Sequence, residues 1–257
     1  MKSSSRKAEV RVISLYSIKG GVGKTTAAVN LAYLNAADGR KTLLCDLDPQ
    51  ASASFYFRIK PMAGQSSKMM VSSQSKAAGF IRATDYENLH LLPSDISFRK
   101  LDIRIDRAKH SKKALQYALR QFDEEYDTVF IDSPPNITLL SENIFRVSDI
   151  MLIPVIPTTL SKRTLEQLRA FLSRQEIHVE HVIPFFSMVD ARKSLHKQMM
   201  DELWNAQPDF LKHYIPYRSE IERMGIFRAP LPAVRPRSES AREIALLWQE
   251  ILEKTTL

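Results

Sequence analysis

Two lysines flank a run of glycines in Lys19-Gly20-Gly21-Val22-Gly23-Lys24-Thr25-Thr26. Glycine has no Cβ, so backbone N–H groups in such a run can converge on an anion. A helix starting at Lys24 would add its unpaired N–H groups and its dipole to the same cradle. Lys24 would then reach β- and γ-phosphates, and the Thr25 hydroxyl would hold Mg²⁺. The usual phosphate-binding loop has a glycine six residues before the lysine. Here that position is Ile18. A glycine-rich turn alone reads equally well as a tight strand–helix connection, so the acidic residues further along the chain must decide between the two.

Two acidic motifs are present. "LLCDLDPQ" ends an apolar run in Asp46-Leu47-Asp48-Pro49. Strand alternation puts Asp46 and Asp48 on the same side at the strand tip, and Pro49 stops the strand. "TVFIDSPP" ends another apolar run in Asp132. It reads as a Walker B strand whose carboxylate holds Mg²⁺. Either aspartate alone could be a strand-end carboxylate satisfied by a loop N–H. Together with Lys24 and Thr25 they read as one phosphate and metal site.

The elements that must position these residues alternate along the chain. Apolar runs predict strands over 11–16, 42–46, 88–92, 127–132, 149–155, 181–186 and 213–216. Helical spacing predicts helices over 24–37, 110–122, 138–146, 160–174, 192–204 and 239–254. Alternation of this kind implies βαβ units and a mostly parallel, twisted sheet with helices on both faces. Ligands then sit at the carboxyl ends of the strands. Residues 58–82 hold five basic residues and no acid among Ser, Gly, Pro and Met. They read as a mobile loop with a short helix, either a tolerated insertion or a partner contact. A basic tail over 1–10 and one domain over 11–257 complete the expected organisation.

At 257 residues the chain has room for one sizeable α/β domain or two small ones. No apolar run nears the roughly 18 residues needed to span a bilayer. The basic N-terminus lacks the apolar stretch of a secretory signal. The single cysteine, Cys45, sits in a strand and supports no metal or disulfide motif. A cytoplasmic protein is expected by elimination. The net charge of +8 suits either a soluble basic protein or one with a polyanionic partner.

The three motifs together resemble the ParA/MinD family of P-loop ATPases with a deviant Walker A loop. The likeness extends through "IFRVSDIMLIPVIPT", "FFSMVDARKSLH" and "IPYRSEIERMGIFRAPLPAVRPRSESA", covering residues 9 to 254. It implies a single-domain P-loop NTPase fold with ATP and Mg²⁺ as ligands. It implies that Lys19 reaches across an ATP-sandwich homodimer to the partner's phosphates. A cation that serves the phosphates only when two subunits close would make nucleotide state and dimerisation one equilibrium. By position, Gly20, Gly21, Val22, Gly23 and Lys24 would cradle the nucleotide, and Thr26 would contact the α-phosphate. Asp48 would orient the attacking water beside the metal, Asp132 and Thr25 would hold Mg²⁺, and Pro216 would border the adenine. The chain departs from the family at Ala51-Ser52, where many members have Gly-Asn, and in 58–82.

Within the family, a lone cysteine excludes the iron–sulfur branches. The last helix is acidic on balance, with Glu239, Glu243, Glu250 and Glu253 against Arg242 and Lys254, unlike a MinD membrane helix. Only 18 residues precede Lys19, so no separate N-terminal DNA-binding domain is expected. The small ParA (Soj-like) type remains, with a MinD/FlhG-like regulator of membrane or flagellar sites as the alternative and an ATP-locked dimer that hardly hydrolyses as a second rival. The resemblance implies non-specific binding to double-stranded DNA, a nucleoid association, and release by a ParB-like or cargo-adaptor protein. Arg192 and Lys193 stand where such proteins place DNA contacts, and Arg218, Arg223, Arg228, Arg235 and Arg237 lie in the segment that also contributes. Each alone reads equally as a solvated arginine.

Overall fold

Strands form where the sequence is apolar on every position, because both faces of the sheet are covered. The structure, a computed structural model, describes residues 10–60, 67 and 79–256. Most of the expected basic tail and most of the 58–82 loop lie outside the described residues. Eight strands form one sheet: β1 (Arg11–Leu15), β2 (Thr42–Asp46), β3 (Arg82–Ala83), β4 (Leu89–Leu92), β5 (Thr128–Asp132), β6 (Ile150–Val155), β7 (His181–Val189) and β8 (Ile215–Pro216). Their spatial order is β3-β4-β2-β5-β1-β6-β7-β8. All neighbours are parallel except β3 and β4.

Strand alternation sorts the core. Ile13, Leu15, Leu44, Phe130 and Leu152 face α1 (Lys24–Ala37) and the last helix, Glu239–Thr255. Val12, Leu43, Cys45, Val129 and Ile131 face the opposite layer. That layer contains α3 (Leu101–Asp106), α4 (Ala114–Leu119) and α5 (Leu139–Val147). Further along the sheet, Met151, Ile153 and Phe186 pack on α6 (Thr159–Arg174) and α7 (Ser194–Ala206). Helix α1 buries residues around most of its circumference, including Ala28, Leu31 and Ala32. It lies beneath the sheet and against the last helix, which explains its lack of a polar face.

The expected helix over 110–122 is interrupted. A 3₁₀ turn at Ser111–Lys113 precedes α4, and a second over Arg120–Phe122 comes after it. Strand β7 runs three residues beyond the expected end at 186. Several short elements carry no periodicity long enough to read: β3, α2 (Ser52–Tyr56), α3, and the turns of helix α8 (Ser219–Glu222), α9 (Met224–Phe227) and α10 (Leu231–Val234). The last helix is therefore α11. Its Ile244, Leu247, Trp248 and Ile251 are buried, and Trp248 Nε1 donates to Asp38 Oδ2 at 3.1 Å. At its far end, Arg11 Nη2 donates to the Thr255 carbonyl at 3.3 Å, bringing the first strand against the end of the last helix.

Candidate functional site

The glycine loop joins β1 to α1 with two left-handed residues, Gly21 at φ 71° and Gly23 at φ 89°. A Cβ on Gly23 would stand 2.7 Å from Ser187 Oγ, so both the backbone and its neighbour demand glycine there. Gly23 caps α1 without a side-chain bond, and the first turn of α1 carries no acidic residue. The N–H groups at this end are left to the loop, as an anion cradle requires. Lys24 is buried and folds back, its Nζ donating to the Lys19 carbonyl at 3.3 Å. Burial lowers the Lys24 pKa, while Asp132 and then Asp48 oppose that shift.

Strands β2 and β5 pair with Asp46 level with Asp132. Both carboxylates are fully buried. Asp46 Oδ2 accepts from the Ser54 N–H and the Ser54 hydroxyl, each at 2.8 Å. Neither oxygen of Asp132 has a well-formed hydrogen bond, although the Thr25 side chain lies beside it. Burial, followed by the neighbouring Asp46, raises the Asp132 pKa; Thr25 and Lys24 oppose the rise. The expected same-side placement of Asp46 and Asp48 does not hold. The strand ends at Asp46, the chain turns, and Ala51 takes a left-handed φ of 54°. Asp46 turns into the protein to anchor α2, whereas Asp48 is half-buried and faces a cleft.

That cleft encloses about 600 Å³ at the carboxyl ends of the strands. Gly20, Gly21, Gly23, Lys24, Thr25 and Thr26 line one side, with Asp48 beside them. Met188, Ile215, Pro216 and Tyr217 line the other and give it an apolar end. Met188 reaches the cleft from an irregularity in β7, where it adopts φ 55° and the register to β8 shifts. Tyr56, Gln50 and Glu222 also line the cleft and were not singled out from sequence. The Tyr56 hydroxyl lies beside the Thr26 side chain, which moderates a pKa raised by burial. Tyr56 and Glu222 reach the cleft from short turns of helix, and Gln50 from the turn that precedes α2.

Lys19 and Val22 lie outside this lining. They border a separate small cavity with Ser17 and Leu165. The two lysines of the loop thus face different spaces.

Among the described residues, no three or more His, Cys, Asp or Glu gather as a metal cluster. Thr25, Asp132 and Asp48 form a sparse oxygen set, and Asp132 has unsatisfied acceptors. That chemistry fits Mg²⁺, which keeps waters and phosphate oxygens in its shell and takes few protein ligands.

The basic residues singled out from sequence are spread over two regions. Arg192 is 84% exposed and makes a two-pronged bond to Asp190, at 2.9 and 3.0 Å. Lys193 is exposed at the start of α7. Arg218 lines the cleft and grips Glu239 through two bonds of 2.5 and 2.7 Å. Arg223 and Arg235 both lie over the Phe227 ring. Arg228 is half-buried over Phe55, and its Nε donates to the Phe55 carbonyl at 2.9 Å. Arg237 is exposed. Arg192 and Arg218 are therefore partly neutralised, and Arg228 serves packing. No helix among the described residues is long and apolar enough to cross a membrane.

A family described as an AAA domain (AAA_31) matches residues 10–183. The sporulation initiation inhibitor protein Soj of Bacillus subtilis (strain 168) is 30% identical over 247 residues, covering 94% of this chain and 98% of its own. A plasmid partition protein of Borrelia burgdorferi B31 bound to AMPPNP superposes with a TM-score of 0.81 at 24% identity, covering 96% of this chain and all of its own. A Cyanothece McdA variant in complex with ATP gives a TM-score of 0.79 at 20% identity, covering 95% and 97%. The two superpositions bear on the fold, a P-loop NTPase. The family match and the likeness to Soj bear on descent: the chain belongs to the ParA/Soj family of partition ATPases.

Proposed function

We propose that this protein is a Mg²⁺-dependent ATPase that dimerises around ATP, binds DNA without sequence preference, and positions or segregates a cargo. A plasmid, a chromosome origin or a protein assembly would serve as cargo. An activating partner of the ParB or cargo-adaptor kind stimulates hydrolysis and returns the protein to its free form. It works on the nucleoid in the cytoplasm as one ATPase domain over 11–257. The observation that carries this reading is the division of the two lysines. Lys24 lines the cleft, while Lys19 borders a different space. A lysine outside its own cleft is free to serve the phosphates of a second copy.

The chain's own groups divide the work. The Gly20–Gly23 backbone and the start of α1 receive the phosphates. Lys24 neutralises charge that grows on them during transfer, the largest lever such sites have. Thr26, steadied by Tyr56, faces the α-phosphate, and the base enters the apolar end beside Pro216 and Met188. Asp48 orients the attacking water. Thr25 and Asp132, with Asp48 near, would hold Mg²⁺, which would supply positive charge to offset that of the phosphates. Lys193, Arg223, Arg235 and Arg237 are the cations best placed to meet DNA, with Arg192, Arg218 and Arg228 constrained as described. The membrane-regulator reading is weakened by α11, whose apolar face is spent in the core.

An electrophoretic shift of arbitrary duplex DNA with no nucleotide, ADP or ATP–Mg²⁺, at two salt concentrations, tests the reading. A shift confined to ATP and lost at higher salt is expected, because phosphate contacts release counterions. A shift indifferent to nucleotide, or none at all, refutes the DNA-riding switch while leaving the ATPase in place.

A further inference from the structure

A second basic pocket lies at the opposite end of the sheet. It encloses about 240 Å³ and is lined by Lys112, Lys113, Gln116, Arg146, Ile177 and His178. The segment from Arg107 to Lys113 holds Arg107, Lys109, His110, Lys112 and Lys113 with no acid. None of the pocket's lysines, nor Arg146 or His178, lies within 4.0 Å of a carboxylate among the described residues. Arg146 Nη2 donates to the Gln175 carbonyl at 3.4 Å, but its Nε is buried without a partner.

The pocket is also held in shape. Asn143 of α5 is fully buried. Its Nδ2 donates to the Ser111 carbonyl at 2.8 Å, and its Oδ1 accepts from the Leu115 N–H at 3.3 Å. One side chain thus clamps both ends of the turn that carries Lys112 and Lys113 against the helix that carries Arg146. Exposed lysines with such anchoring differ from a solvated charge run, whose members move independently. Two ammoniums, a guanidinium and an imidazole lining one pocket suit a compact, multiply charged oxyanion.

The geometry points to a second phosphoryl-binding site here, separate from the ATP cleft, taking a phosphate from a duplex backbone or a small free phosphate. It does not rest on the function proposed above. If the backbone is the source, the protein grips DNA on a face the nucleotide never touches.

Two arms test it on the full chain, with ADP–Mg²⁺ saturating the first cleft in the small-ligand arm. There, inorganic phosphate is titrated while the His178 ring signals are followed by NMR, assigned by their loss in His178→Gln. A saturable shift, abolished in Lys112→Ala/Lys113→Ala, is expected. In the other arm, arbitrary duplex binding with ATP–Mg²⁺ is measured across a salt series. If both lysines meet backbone phosphates, the double variant flattens the log–log salt slope by about 1–2. Response in the first arm alone assigns a small phosphate, and response in the second assigns the backbone. Silence in both overturns the site. A wild type that binds no DNA refutes the proposed function and leaves the phosphate arm to judge this pocket. The lysines are exposed, so the variant folds; an unchanged urea midpoint confirms it.

Discussion

Gly23 is the residue on which the cradle turns, for two independent reasons: its positive φ and the Ser187 hydroxyl beyond its Cα. Gly23→Ala is expected to lower stability by about 1–2 kcal/mol from the left-handed backbone alone, with a further loss from the contact. Urea denaturation gives the first quantity, and a fluorescent ATP analogue reports the accompanying loss of nucleotide binding. Lys19 and Lys24 separate in a different experiment. Lys19→Ala should keep monomer nucleotide binding but lose the ATP-dependent dimer in size-exclusion chromatography with light scattering; a persisting dimer would refute its action in trans. Asp48→Ala should accumulate a DNA-bound dimer with hydrolysis suppressed, and normal turnover in that variant would remove Asp48 from the mechanism. The glycine loop with Lys24 could be located because its residues follow one another in one short segment, and Asp132 because it ends an apolar run. Asp46 and Asp48 were separable only in three dimensions. Alternation holds inside a strand, and this strand ends between them, so one carboxylate anchors α2 and the other faces the cleft.

Among elements, the strands except β3 announced themselves as apolar runs and most long helices through periodicity, while the short helices did not. Helix α2 has five residues and α8, α9 and α10 have four each, too few for a repeat to register. Yet α2 supplies Tyr56 and α8 supplies Glu222 to the cleft, so part of the site was invisible for the same reason. The break in 110–122 arises from Asn143, a buried residue of another helix that captures the Ser111 carbonyl and the Leu115 N–H. The start of α7 depends on a similar tie. His196 is buried and its Nδ1 accepts from the Asp190 N–H at 3.1 Å. Burial, then Lys193, lowers its pKa, with Asp190 opposing. A depressed folded pKa means its stabilisation is present above the unfolded value and lost as pH falls. Between about pH 7 and pH 5, spanning the ordinary histidine pKa of about 6.5, wild type should lose urea stability relative to His196→Gln. A difference that stays constant or grows in that window would show that the neutral ring does not matter.

Across the whole molecule, a surplus of eight positive charges is unevenly committed. Asp190 and Glu239 already occupy Arg192 and Arg218. Alanine at Lys193, Arg223, Arg235 or Arg237 should therefore weaken ATP-dependent duplex binding more than alanine at Arg192 or Arg218. Anisotropy titrations of one labelled duplex rank them, and the reverse order would mean that the carboxylates release their arginines to DNA. The overall sheet was legible because continuous apolar strands alternate with helices. The β3 edge was not, since β3 pairs through two residues only.

The bond from Arg11 to the Thr255 carbonyl has a practical consequence for anyone who must see this protein in a cell. It fixes the start of the first strand and the end of the last helix side by side, at the end of the sheet away from the glycine loop. Lys254 beside them borders the cavity that His178 shares with the second basic pocket. A fluorescent protein fused after α11 would leave the ATP cleft open but crowd that lower face. A reporter placed clear of the residues that line either cavity would leave both ends free.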